Sequence, residues 1–145
     1  MIEFLSENIE MPELDKATTE RWIRRVAGGY GFAVGEIHYI FCNDQRILEV
    51  NRQFLGHDYF TDIITFDYST AGTVNGDIYI SLDTVRSNAL EYDKEDADGY
   101  MHELNRVIIH GVLHLTGQGD KTPESAAVMR EKENKALDEL KKIIQ

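Results

Sequence analysis

The chain predicts an α+β fold in one domain, and three observations carry that expectation. Its 145 residues are enough to bury one core of ordinary size. About four short runs rich in β-branched and aromatic residues are mixed with about five segments at helical spacing. One of those helical segments, around Val107 to Leu115, is almost wholly apolar and belongs in the middle of a fold. The expected architecture is a small mixed sheet packed with helices, spanning 1–145, with a metal site at the end of a central helix.

Taken in order, Ile2 to Phe4 reads as a short strand. A helix is expected from about Lys16 to Val26, with Trp22, Ile23 and Val26 facing inward and Gly28-Gly29-Tyr30-Gly31 ending it. Ile37 to Cys42 is a strand by its β-branched and aromatic content. Asn43 or Asp44 caps a second helix through Phe54, because Ile47, Leu48, Val50 and Phe54 share helical spacing. Thr61 to Tyr68 reads as a buried strand, Ser69 to Asn75 as a turn-rich loop, and Gly76 to Leu82 as another strand. Asp83 is expected to cap a helix to about Tyr92, and an acidic loop through Asp98 leads into a helix from about Tyr100 to Thr116. Thr122 as cap and Pro123 at the first helical position start the last helix, which runs to about Lys142. No repeat, linker or low-complexity segment interrupts the pattern.

Hydrophobic content of 42% and charged content of 28% are those of a soluble globular protein. No apolar run approaches membrane-spanning length, and Met1 to Glu7 carries no basic leader. With Cys42 the only cysteine, an intramolecular disulfide is excluded and a reduced cytoplasm is the expected compartment. A net charge of −11 opposes a nucleic-acid partner at long range unless basic residues concentrate locally. Arg21, Arg24 and Arg25 do cluster on the first helix, a pattern usual for a solvated face.

The chemistry concentrates in the run Ile109-His110-Gly111-Val112-Leu113-His114-Leu115-Thr116-Gly117-Gln118-Gly119-Asp120. Positions i and i+4 stack on one helix face, so both imidazoles can reach one metal ion. Gly117 stands where the helix should stop, since glycine accepts the left-handed backbone of a helix end. The chain can then double back and bring Asp120 toward the histidines. Two imidazole nitrogens and one carboxylate oxygen suit a catalytic zinc with a fourth position open. A solvated histidine pair is the plain alternative, but the apolar surroundings bury this helix, and buried imidazoles need partners. Zinc peptidases with this spacing carry a glutamate directly after the first histidine, where this chain has Gly111.

Read with two upstream segments, the run resembles the YbeY family of metal-dependent endoribonucleases that mature ribosomal RNA. Val50-Asn51 with Phe54, followed by Thr61-Asp62-Ile63-Ile64-Thr65-Phe66, is similar to one family pattern. Gly76-Asp77-Ile78 is similar to its Gly-Asp-Ile strand, and His110-Gly111-Val112-Leu113-His114-Leu115 with Gly117 to its His-Gly-x-Leu-His-Leu-x-Gly core. There are two departures: Asp120 stands in place of the family's third histidine, and Leu55 in place of an arginine thought to face the substrate phosphate. Aspartate is an acceptable zinc ligand; its charge should raise the pKa of bound water and moves preference toward a harder ion such as manganese.

The resemblance implies cleavage of single-stranded RNA at the 3′ end of small-subunit ribosomal RNA, with a part in ribosome quality control. His110, His114 and Asp120 are the expected ligands of one ion, zinc first and manganese second. Arg52 and Lys121 are the candidate phosphate cations, and the Thr65 hydroxyl, where the family has serine, is a candidate for orienting substrate. Each of these three has a plainer reading as surface charge or strand residue. Rival readings are a non-catalytic ribosome-assembly factor that binds a ribosomal or ribosome-associated protein, a zinc peptidase, and a purely structural metal site. His38 and His57 have no partner legible in the sequence, His102 belongs near the surface, and Asp62 and Asp77 read as loop-ordering residues.

Overall fold

A computed structural model describes residues 1–92 and 97–145. Four strands form one mixed sheet in the order β1-β2-β4-β3. The strands are β1 (Ile2–Glu7), β2 (Ala33–Cys42), β3 (Ile63–Asp67) and β4 (Thr73–Ser81). β1 and β4 both run parallel to β2, while β3 pairs antiparallel with β4 across the short turn between them. The helices are α1 (Lys16–Gly29), α2 (Asp44–Val50), α3 (Leu82–Tyr92), α4 (Ala97–Leu115) and α5 (Pro123–Ile144). The α+β class and its proportions are therefore as the sequence predicts.

One sheet face carries the main core, because alternate residues of each strand point the same way. Ile2 and Phe4 of β1, Ile37, Tyr39 and Phe41 of β2, and Ile78 and Ile80 of β4 pack there against α1, α3, α4 and α5. The buried polar tips find partners: Trp22 Nε1 donates to the Ala136 carbonyl at 2.8 Å, and the Tyr39 hydroxyl donates to the Ile108 carbonyl at 2.8 Å. Those two bonds tie α1 to α5 and the sheet to α4. The other face is covered only in part, by α2 over Cys42, Ile47, Val50 and Ile64. Burial pushes the Cys42 thiol up to about 12, so the single cysteine is an inert core residue.

Several elements differ from expectation for local reasons. The second helix does not run evenly to Phe54; after Val50 it widens into a π-helical turn over Asn51–Leu55. The wider turn shifts the phase, so Asn51 is buried and Phe54 is 56% exposed. The strand expected to be buried around residues 61–68 is the sheet edge β3, and Tyr68 beyond it is 60% exposed. Asp83 does not cap α3: the Ser81 hydroxyl accepts from the Thr84 amide, and Asp83 instead accepts from the amide of Asp44 at 3.0 Å. Of the acidic loop expected through Asp98, positions 93–96 lie outside the described residues, and α4 has already begun at Ala97. The capped start of α5 is as expected, with Thr122 accepting from the Ser125 amide and Pro123 following.

Candidate metal centre

The apolar side of α4 is buried through Val107, Ile108, Ile109, Val112 and Leu113, and this fixes where its polar side points. Arg106, His110 and His114 recur every four residues, so they share one face. That face opens on a cleft of about 890 Å³ whose far wall is the Asn51–Leu55 turn and the start of β3. Glycine at 111 lets α4 approach the sheet: a Cβ there would lie 2.9 Å from Ile78 Cδ1. The same contact leaves no room for the general-base glutamate of a zinc peptidase at this position.

α4 ends as the sequence predicts. Gly117 takes φ +101°, its amide donates to the His114 carbonyl at 3.0 Å, and the Gln118 amide donates to the Leu113 carbonyl at 3.1 Å. This reversal returns Asp120 to the cleft, with its Oδ2 3.3 Å from His110 Nε2. His114 lines the same cleft, as do Thr65 and Lys121. Arg52 is set apart: it is outside the cleft lining and pairs with Asp58.

The sequence reading missed Glu133 of α5. It is buried at 5% exposure, and its Oε2 lies 2.7 Å from His110 Nδ1. Its other oxygen accepts from Arg106 at 3.0 Å, with Arg130 further out at 3.7 Å. A carboxylate facing Nδ1 favours the tautomer that donates from Nδ1, which leaves the Nε2 lone pair aimed into the cleft. A lone pair and a carboxylate aimed at each other across 3.3 Å need a cation or a proton between them. Ligand atoms of a tetrahedral zinc with bonds of about 2.1 Å stand about 3.4 Å apart, so the His110–Asp120 pair has the spacing of two metal ligands, while His114 lines the cleft without forming a tight group with them.

Without a metal, the surroundings favour the charged form of His110. Burial pulls the His110 pKa down, but the Glu133 hydrogen bond and charge, then Asp120, outweigh it and raise it above the usual 6.5. Burial pushes Glu133 up, and the hydrogen bonds from His110 and Arg106 outweigh it and hold the carboxyl below its ordinary 4.5. Burial raises Asp62, another cleft residue, against the opposing pull of His110. Asp62 thus belongs to the cleft rather than to a loop alone.

Elsewhere, His38 has partners the sequence did not reveal. Its Nδ1 lies 2.9 Å from Asp77 Oδ1, and Glu3 and Glu36 stand within 3.8 Å of Nε2. Glu3, Glu36 and His38 are the tight group of potential metal-ligand side chains found among the described residues, on the exposed part of the second sheet face. Their three-strand neighbourhood follows from register, which aligns Glu3, His38 and Asp77 across β1, β2 and β4.

Comparison with known proteins decides the family. The model of the family described as endoribonuclease YbeY matches residues 1–141. The chain belongs to the YbeY family. Among its relatives, an endoribonuclease YbeY of Phocaeicola vulgatus is 55% identical over 137 residues, covering 94% of this chain and 96% of the relative. One of Porphyromonas gingivalis is 52% identical over 143 residues, covering 99% and 92%. A solution structure of a Thermotoga maritima protein superposes with a TM-score of 0.67 at 27% identity, covering 97% of this chain and 89% of that one. YbeY proteins are metal-dependent endoribonucleases, which fits the acidic and imidazole donors of the cleft. Among the described residues no helix is long and apolar enough to cross a membrane.

Proposed function

We propose that this YbeY-family chain is a metal-dependent endoribonuclease that cuts single-stranded ribosomal RNA, at the 3′ end of the small-subunit species. His110, His114 and Asp120 hold one ion, zinc in the first place and manganese in the second. The observation that supports this most is the facing pair of His110 Nε2 and Asp120 Oδ2, 3.3 Å apart on the wall of an open cleft. When bound, the ion polarises a phosphoryl oxygen and lowers the pKa of a water.

The rest of the chemistry falls to side chains of the chain. Glu133 holds the His110 ring and its tautomer, and Arg106 holds Glu133. Lys121 receives a phosphate oxygen at the cleft rim, and Thr65 orients the strand by its hydroxyl. Arg52 already serves Asp58 and is the weaker phosphate candidate. The substrate reading carries a cytoplasmic location with it.

The test is metal content by mass spectrometry on untagged protein, followed by cleavage of a single-stranded RNA. About one ion per chain is expected in the parent, with His114→Ala and Asp120→Ala both depleted and His114→Ala inactive. A His114→Ala protein that cuts RNA as fast as the parent refutes the metal-centre reading. The net charge of −11 favours a second reading, a ribosome-assembly factor that docks on a ribosome-associated protein. Co-sedimentation with ribosomal subunits without any cleavage by metal-loaded protein would select it.

A further inference from the structure

The cleft has an aromatic rim that its metal chemistry does not use. Between Phe54 and Phe60, the side chains of Phe54, Leu55, Tyr59 and Phe60 are each at least 44% exposed. Single exposed apolar side chains are ordinary, but a contiguous group beside a functional cleft marks a contact surface. Leu55, His57 and Tyr59 belong to the cleft lining itself. The His57 and Tyr59 rings are stacked, with centroids 5.3 Å apart and planes 19° apart, and the Tyr59 hydroxyl lies 3.1 Å from His57 Nδ1.

The chain holds this pair in place. Asn51, 1% exposed in the π-helical turn, donates from Nδ2 to the Tyr59 carbonyl at 2.9 Å. Its carbonyl accepts from the His57 amide at 3.2 Å, and Gly56 turns the backbone between them at φ +67°. A buried amide side chain thus fixes the backbone of a residue that is itself 56% exposed.

Charge narrows the occupant. Three cations line the cleft, of which Arg106 and Arg130 both face Glu133. Lys121 is the lining cation that has no ion pair among the described residues. In a chain of net charge −11, a cleft with so few available lining cations gains little affinity for a polyanion from phosphate contacts alone. Base stacking on aromatic rings is insensitive to that repulsion, and every base has a π face.

We infer that Tyr59, backed by His57, is a stacking subsite that receives an unpaired nucleobase of the strand lying in the cleft. The inference rests on the RNA reading given above and adds to it the residue that selects single strands, since a paired and stacked base offers no free face. An RNA duplex of the same sequence is excluded from the subsite for the same reason.

The experiment compares metal-loaded parent, Tyr59→Leu and Tyr59→Phe for binding of a short oligouridine RNA and of an abasic strand of equal length, by fluorescence anisotropy. The parent is expected to prefer the intact strand, and Tyr59→Leu to lose about ten- to hundredfold of that preference while Tyr59→Phe keeps it. The abasic strand should bind both proteins alike, because it lacks what Tyr59 recognises. In a Tyr59→Trp protein the added indole should be quenched by oligouridine, against the constant background of the buried Trp22. Equal loss for intact and abasic strands, or intact-strand affinity unchanged in Tyr59→Leu, overturns the subsite and leaves the endoribonuclease reading standing. A metal-loaded parent that binds neither strand overturns both. Unchanged RNA binding by Tyr59→Leu together with lost sedimentation on ribosomal subunits overturns the subsite in favour of a protein contact.

Discussion

Replacing Glu133 separates support of the proposed metal ligand His110 from packing. Glu133→Ala removes the acceptor of two hydrogen bonds, from His110 at 2.7 Å and from Arg106 at 3.0 Å. Breaking a buried ion pair costs about 3–5 kcal/mol, chiefly through the charge left behind. The Arg106 side chain keeps 15% of its exposure, so water recovers part of that, and about 2–4 kcal/mol is the expected loss. For a chain of this length that lowers Tm by roughly 5–15 °C in the metal-free protein, measured by calorimetry. Loss of a carboxylate behind a ligating imidazole also weakens metal binding by about 10- to 100-fold, read by chelator competition. Glu133→Gln keeps the shape and one acceptor, so its Tm should fall less while the metal affinity still drops. If Glu133→Gln binds zinc as tightly as the parent, the carboxylate does not orient His110 and the pair serves packing alone. If Glu133→Ala melts within about 1 °C of the parent, the buried-charge reasoning fails.

Two further outcomes follow from the same network and its neighbours. Gly117→Ala should cost about 1–2 kcal/mol, because φ +101° is strained for any residue with a Cβ. It should also weaken metal binding by moving Asp120; an unchanged metal affinity would show that the turn does not position that ligand. In the metal-free protein, the lowered Glu133 contributes stability that is present above 4.5 and lost as pH falls through its folded value. The raised His110 contributes stability that is complete below 6.5 and lost as pH rises through its folded value. Melting temperature should therefore be highest between those limits, and a steady rise from pH 5 to about 8 would contradict the assignment.

What was legible in the sequence tracks how local the determining interactions are. The end of α4 could be read because Gly117 settles it through its own backbone, and the His110–His114 spacing because helical geometry does. The capped start of α5 is legible for the same reason, as Thr122 bonds within three residues. The exposure of Phe54 was not legible because a π-helical turn has no period to detect, and Asn51 in the same turn is buried through a bond to Tyr59, eight residues on. His38 found Asp77 through strand register, which the chain order conceals. Glu133 did leave a trace. It sits in the buried stripe Met129, Glu133, Ala136, Leu137 and Leu140, and a carboxylate inside such a stripe requires a buried partner. The stripe announces the need, and only the packing of α5 on α4 shows that His110 and Arg106 meet it.

The charge of the cleft explains how an acidic chain can act on a polyanion. Asp62, Glu103, Asp120 and Glu133 line it against Arg106, Lys121 and Arg130, which leaves one formal negative charge with His110 neutral and none with His110 protonated. A divalent ion reverses that sign. On the proposed reading, a metal held by His110, His114 and Asp120 would do more than activate a group: it would shift the floor of the cleft toward attracting phosphate. Asp120 as a ligand would strengthen this effect, since it adds a negative charge for the ion to offset. On the proposed reading, metal binding and RNA binding should be thermodynamically linked, with RNA held more tightly by the metal-loaded protein than by the metal-free one.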